Sequence, residues 1–383
     1  MPRSFRKSGR GTSITAKDSG SPSTVSKSGS DSMTDVPPLA LWVVPVANLG
    51  GVARHVLDVV AHGIPGFRIV VLSPPGDLPA RIRALGGAVV EGDFGPEAGL
   101  WHSRRTLARV VELLRPAVIH THLAYADIVA ATLTHTFGAI TATTEHGIAA
   151  DDTLYASSKN VARVKQNVHR YRLKRTDHVI AVSQSTAHLM KEKWGAGDVT
   201  VIANGVAKTS DPGLKRHTLG QGIRILSLAR LAPEKNIQYL LRAMPEILRR
   251  DPRAHLTIAG EGPERDNLDA IVDELSLQQS VTFPGHVEAQ EAMRRHDMLV
   301  QLSAWENLSY ALLDARACDV PVVASRVGGN GEIFDEADLL DDLSPTAIVS
   351  AVARGGARPA ANPLASVESL TAAIGRVYRG DSV

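Results

Sequence analysis

The stretch Ser303-Ala-Trp-Glu-Asn-Leu-Ser-Tyr-Ala-Leu-Leu-Asp-Ala-Arg-Ala-Cys-Asp-Val-Pro-Val-Val-Ala-Ser325 decides how this chain is read. Its apolar segment Leu308 to Ala317 has helical spacing, and the β-branched run Val320 to Ala324 follows as a short strand. Two acids, Glu306 and Asp314, stand with seven residues between them. That separation is a little over two helical turns, so both carboxylates can lie near one face. With Glu306 in the loop before the helix, its carboxylate and the first-turn amides point into one space. A carboxylate accepts hydrogen bonds from hydroxyls, and a helix N-terminus attracts phosphate. A ligand carrying sugar hydroxyls and a diphosphate suits this layout. A plain amphipathic helix with an exposed acid at each end has the same spacing, and the flanking chain must separate the two readings.

Outward from this stretch, strand and helix patterns alternate. Strands are predicted at Leu41–Val46, Arg68–Ser73, Ala88–Glu91, Ala117–His120, Ile140–Glu145 and His178–Val182. Helical patterns lie between them at Val52–His62, Ser103–Leu114 and Ser185–Trp194. A second series of strands runs Ile223–Ala229, His255–Ala259, Val281–Phe283, Met298–Leu302 and Val320–Ala324. Short β-rich runs alternating with helices imply parallel sheets covered on both faces. The expected fold class is therefore α/β, with two doubly wound Rossmann-like domains, residues 38–206 and 223–365, facing each other across a cleft. Ligands of such sheets bind beyond the carboxyl ends of the strands. Residues 207–222 are polar and read as a linker. A last helix, Val367–Tyr378 within 366–383, is expected to cross back to the first domain. Residues 1–37 are too poor in large apolar groups to fold and read as a disordered extension, with Met33 an alternative start.

Composition bounds the function. The 383 residues suit two domains, and 44% hydrophobic content supplies large cores. A net charge of +2 gives no case for nucleic-acid binding. One cysteine, Cys318, excludes an intramolecular disulfide and fits a reducing compartment, so the expected location is cytoplasmic. No apolar run is long enough to span a bilayer, and the first one does not resemble a signal peptide.

The motifs cluster where the strands end. Gly50-Gly51 follows the first strand and opens a helix, as a tight turn or a phosphate approach. It is not a GxGxxG fingerprint, so a nicotinamide dinucleotide is not indicated. Arg230 and Lys235 follow the first strand of the second domain; they can neutralise a diphosphate, or Arg230 can pair with Glu234 on the surface. Gly260 and Gly262 punctuate the next strand. His146 ends a strand and faces the cleft, where it can bond a hydroxyl or carry a proton. His120 and His122 form His-Thr-His, but no third ligand has matching spacing, so no metal is assigned. The run Arg163–Arg175 is a basic helix, either a solvated face or a surface attracted to an anionic bilayer.

Taken in order, these pieces resemble family 4 of the retaining glycosyltransferases, which have the GT-B fold. The resemblance covers about Leu39 to Tyr378. It rests on Gly50-Gly51, His146, Val182-Ser183, Asn204-Gly-Val206, the Arg230/Lys235 spacing, Gly260-x-Gly262, the Glu306-x7-acid motif, Pro321-Val-Val, Gly328-Gly329 and Glu332. It implies transfer of a sugar from a nucleotide-diphosphate donor to a hydroxyl acceptor, lipid-linked or part of an envelope glycan. Retention of configuration is implied, with no metal and no further cofactor. Glu306 would hold the donor sugar, and the backbone of Asn307 and Leu308 the sugar and diphosphate. Asp314 would hold the ribose, Arg230 and Lys235 the leaving diphosphate, and Gly50, Gly51 and Gly260 would lie against the donor. His146 would touch the sugar near the reacting centre. The chain departs from the pattern at Asp314, where Glu is usual, at Ser309, where Pro is frequent, and at Arg316-Ala-Cys-Asp319. A nucleotide-sugar epimerase and a non-catalytic nucleotide-sugar binding protein are the competing readings.

Overall fold

A computed structural model describes residues 36–133, 138–148, 159–207 and 222–383. Most of the N-terminal extension and of the 207–222 linker lies outside the described residues. The first half runs β1 (Leu39–Val43), α1 (Gly51–His62), β2 (Arg68–Ser73), α2 (Asp77–Ala84), β3 (Ala88–Glu91), α3 (Gly99–Leu114), β4 (Val118–His122), α4 (Ala124–Ala131), β5 (Ile140–Glu145), α5 (Lys159–Lys174), β6 (His178–Ala181), α6 (Gln184–Trp194) and β7 (Thr200–Val201). The second runs β8 (Arg224–Leu228), a 3-10 turn (Pro233–Lys235), α7 (Ile237–Arg250), β9 (His255–Ala259), α8 (Arg265–Glu274), β10 (Val281–Gly285), α9 (Ala289–Arg295), β11 (Met298–Gln301), α10 (Tyr310–Ala317), β12 (Val322–Ala324), α11 (Asn330–Ile333), α12 (Pro345–Arg354) and α13 (Val367–Arg379).

The strands form two parallel sheets, in the orders β3-β2-β1-β4-β5-β6-β7 and β10-β9-β8-β11-β12. In each sheet the order reverses beside its first strand, between β1 and β4 and between β8 and β11. Such switch points are where α/β sheets open a crevice for ligands. At or just beyond the ends of those four strands stand Gly50-Gly51, His122, Arg230 with Lys235, and Glu306.

Both faces of each sheet are covered, because alternate strand residues point opposite ways. On β1, Ala40, Trp42 and Val44 share a core with α1 and with Leu370, Ile374 and Tyr378 of α13. Leu41 and Val43 face α3 and α4. On β8, Ile225 packs under α7 and α12, and Leu226 under α10. The Trp42 indole N–H donates to the Tyr378 hydroxyl at 2.9 Å, tying α13 into the first sheet.

Prolines move two predicted strands. The run predicted at Leu41–Val46 lies at Leu39–Val43; Pro45, without an N–H, cannot continue the ladder. Val320–Ala324 shortens to Val322–Ala324, since the Val320 N–H is used by the Ala315 carbonyl and Pro321 has none to give. The basic helix α5 also differs from a uniformly solvated face. Arg172 is buried, with its guanidinium between Asp127 and Glu145, and burial raises the Glu145 pKa while Arg172 opposes the shift.

Candidate active site

Lys235 and Glu306 meet at the second switch point, Nζ to Oε1 at 2.5 Å. Two backbone features place them. The turn Pro233–Lys235 ends at Asn236 in the left-handed region (φ 53°), and the Ala304 N–H donates to the Glu234 carbonyl at 2.7 Å. The loop after β8 is thus fastened to the loop after β11. Glu306 Oε1 also accepts from Ser303 Oγ at 2.7 Å and Gln301 Nε2 at 2.5 Å. Gln301 Oε1 accepts from Ser309 Oγ, which in turn caps α10 by accepting from the Leu312 N–H. Ser309, where the resemblance leads one to expect proline, joins the helix cap to the acid's hydrogen-bond network.

Glycine is required behind this loop. Gly328 has φ 52°, and a Cβ there would fall 1.7 Å from the Glu306 carbonyl oxygen. The Gly329 N–H donates to the Asn307 carbonyl at 3.0 Å. The glycine-rich segment therefore clamps the backbone that carries Glu306. Gly260 does the same for the loop of Arg230: at φ 133°, a Cβ would lie 2.0 Å from the Ala229 carbonyl oxygen. Arg230 itself is 61% exposed and pairs with Glu234 at 2.5 Å rather than with Glu306.

Across from these loops, α1 begins at Gly51 with no side-chain cap, so its first amides are bare. Neither glycine is demanded by the protein's own packing. A Cβ at Gly50 would meet nothing within 4 Å, and one at Gly51 would only touch the Tyr310 ring at 3.9 Å. The Gly50 backbone is extended, at φ −162°, which any residue adopts. The open space suits a ligand approaching the amides.

Neither acid of the Glu306-x7-Asp314 pair is an exposed helix-end charge. Asp314 is buried, and its two oxygens accept from the Arg54 guanidinium of α1 at 3.3 Å each. Burial raises the Asp314 pKa, opposed by Arg54; burial also works against the Arg54 charge, but Asp314 and Asp58 overcome it and raise the Arg54 pKa. This ion pair belongs to a polar seam between the two sheets. Asn307 Oδ1 accepts from the Ile148 N–H at 3.1 Å and from Thr186 Oγ1 at 3.0 Å. Asn204 Nδ2 donates to the Leu308 carbonyl, and both Glu332 oxygens accept the first amides of α6, from Gln184 and Ser185, at 3.0 Å.

His146 sits at the end of β5 beside His122, with 3.0 Å between Nε2 and Nδ1. His55 of α1 lies beside it, ring centroids 4.7 Å apart. His120 is engaged elsewhere, Nδ1 with the Tyr378 hydroxyl and Nε2 with Thr144 Oγ1. The sequence pointed to Glu306, Lys235 and His146, and through the resemblance to Glu332, but not to Arg54 or His55 as neighbours of the site. Arg54 and His55 lie directly behind Gly50-Gly51, which was the signal available for them.

Two facing parallel sheets, with cations and an acid at one switch point and bare helix amides at the other, define the GT-B architecture. The family model described as "Glycosyltransferase Family 4" matches residues 49–209, and "Glycosyl transferases group 1" matches residues 215–354. The chain belongs to this family of GT-B glycosyltransferases. Among curated proteins it is 28% identical over 322 residues to glycogen synthase of Mycobacterium tuberculosis, covering 76% of this chain and 78% of the relative. It is 26% identical over 308 residues to a component of human phosphatidylinositol N-acetylglucosaminyltransferase, covering 76% of this chain and 62% of that component. The sucrose-phosphate synthase structure from Thermosynechococcus elongatus superposes with a TM-score of 0.72 at 19% identity, over 90% of this chain and 99% of that one.

Proposed function

We propose that this chain moves a glycosyl group from a nucleoside-diphosphate sugar to a hydroxyl acceptor, with retention of anomeric configuration and no divalent ion on the diphosphate. Glycosyl transfer from a nucleotide sugar follows from family membership; the finer steps rest on the site. One observation carries the reading: a single carboxylate, Glu306, is held by Lys235, Gln301 and Ser303 opposite the uncapped amides of α1.

Transfer breaks the bond from the sugar's anomeric carbon to the diphosphate and forms one to the acceptor oxygen. The acceptor's proton passes to the departing phosphate oxygen. Lys235, the amides of α1 and Arg230 supply positive potential where that charge develops. Arg230 reaches the phosphate by leaving Glu234, a surface pair worth about 0–1 kcal/mol. Glu306 accepts from the donor's hydroxyls, and His146 borders the reacting carbon. Asp314 reaches the ribose only after Arg54 lets go, so donor loading is coupled to relaxation of the seam.

The two named relatives differ in acceptor by name, a glucan in one and a phosphatidylinositol in the other. Support for a lipid-linked acceptor comes instead from α5. Arg163, Val164, Arg170, Tyr171 and Lys174 are all exposed and recur at helical spacing along one stripe. A basic stripe bearing apolar groups suits the anionic inner face of a membrane. Among the described residues no helix is long and apolar enough to cross a membrane. Replacing Arg163, Arg170 and Lys174 by Gln, with the buried Arg172 kept, is expected to abolish salt-sensitive binding to phosphatidylglycerol vesicles. Unchanged binding removes the membrane assignment.

The reaction is tested by incubating the purified protein with UDP-, GDP- and ADP-sugars, with and without hydroxyl acceptors, and following products by NMR. Retained configuration in a new glycoside supports the proposal. An epimerised nucleotide sugar without acceptor supports the epimerase reading, and tight donor binding with no turnover on any acceptor supports a binding protein.

A further inference from the structure

Behind the cleft, the buried imidazoles of His55, His120 and His122 and the half-buried His146 crowd one space beside Trp42. His120 stacks on His122 with ring centroids 4.6 Å apart, and His122 stacks on His146 at 5.2 Å. His55 comes from α1, His122 from the end of β4 and His146 from the end of β5, so folding rather than sequence spacing assembles them. One ring nitrogen from each of His55, His122 and His146 lies within 4.8 Å of the other two.

Two features distinguish this cluster from ordinary packed histidines. The Nε2 atom of His55, in a side chain 1% exposed, is buried without any hydrogen-bond partner; His122 Nε2 is also unpaired, but the nitrogen that His122 turns to His146 is Nδ1. A buried polar atom left unpaired is costly, and native proteins leave few of them. The tautomer of His55 is also set from outside. Asn204 Nδ2 donates to the Leu308 carbonyl, which turns Asn204 Oδ1 toward His55, and the 3.2 Å contact makes His55 Nδ1 the donor. Nε2 then carries the lone pair. A ligating histidine whose second nitrogen is fixed by an amide or carboxylate is the usual arrangement behind a metal ion.

We propose that His55, His122 and His146 form a binding site for a divalent transition-metal ion of the imidazole-preferring kind, with Zn2+ the best match. Zinc–nitrogen bonds of about 2.0–2.1 Å put neighbouring ligand nitrogens about 3.3 Å apart in a tetrahedron. The His122–His146 nitrogens already stand at 3.0 Å, and the ion replaces the proton they share. Three imidazoles leave a fourth position for water. The ion would pin His146 where β5 meets the cleft and join α1 to β4 and β5. It would not bridge the diphosphate, and the site stands whether or not the chain transfers sugar.

The test uses the full chain, free of any affinity tag and stripped with EDTA. Titration with Co2+ is expected to give visible absorption bands saturating at one equivalent and displaced by Zn2+, with the melting temperature rising by several degrees. His55→Gln and His122→Gln should each weaken uptake at least tenfold, and Asn204→Ala by 10–100-fold, as for residues that orient a ligand. His188→Gln, at a surface imidazole 80% exposed, should change nothing. If the cluster variants fail to fold, anomalous diffraction at the zinc edge from crystals of the unaltered chain decides, with a peak expected among the three rings. No stoichiometric uptake, uptake undiminished in both folded cluster variants, or a peak elsewhere overturns the proposal.

Discussion

At the scale of single residues, function and stability separate most clearly at Gly51. Gly51 is the first residue of α1, where the helix-interior preference for Ala over Gly, roughly 0.5–1 kcal/mol, applies only in part, and the space beside it admits a methyl group. Gly51→Ala is therefore expected to leave the melting temperature level or slightly raised while transfer falls at least tenfold; equal activity in both proteins would show that no ligand uses that space. Glu306→Gln and Lys235→Ala are each expected to lower kcat/KM by about 10²–10³-fold, the usual loss for one group aimed at developing charge. Steady-state kinetics on folded variants decides, and unchanged turnover removes their assigned roles. Much of this residue set was legible in the chain, because acids, cations and glycine pairs recur just after β-rich runs. The partners of those residues were not. Arg54 reaches Asp314 across 260 positions, and spacing within one element carries no trace of such a pair.

Among elements, α5 shows how a helix can look uniformly basic and yet carry a buried anchor. Arg172 lies between Asp127 of α4 and Glu145 of β5, with the Trp194 ring 4.9 Å from its guanidinium carbon. Arg172→Met leaves two carboxylates buried without a cation and is expected to cost about 3–5 kcal/mol in denaturant unfolding. Adding Asp127→Asn and Glu145→Gln should recover most of that loss; failure to recover would assign the effect to packing. Element positions were largely readable. Arg68–Ser73, Ala88–Glu91, Ile140–Glu145 and His255–Ala259 lie where apolar β-branched runs meet turn residues. Strands slipped where proline interrupts the run, since a missing N–H outweighs hydrophobic pattern. The inward turn of Arg172 was hidden because both its partners belong to other elements.

For the whole molecule, the seam between the sheets is what joins the two halves. From α11 of the second half, Glu332 accepts the Gln184 and Ser185 amides of α6 beside the Ser183 cap, so its carboxylate is bonded there only while the two halves touch. Glu332→Ala is expected to lower stability by about 1 kcal/mol, as for a lost helix cap, and to raise the donor KM more than it changes kcat. Small-angle scattering should show a larger radius of gyration for the variant without donor; an unchanged radius with unchanged KM would mean the cap plays no part in closure. The facing-sheet architecture was legible from strand and helix alternation and from the ordered motifs. The seam was not, because it is made by side chains that meet only once both sheets exist.

The hydrogen bond from Trp42 to Tyr378 joins residues 336 positions apart. At about 5–20 residues per second, the nascent first sheet waits on the order of tens of seconds for the helix that completes its core. Until then that face of β1 has α1 over it but lacks the apolar side chains of Leu370, Ile374 and Tyr378. A premature stop just before Val367 would therefore injure the half of the protein that was made first.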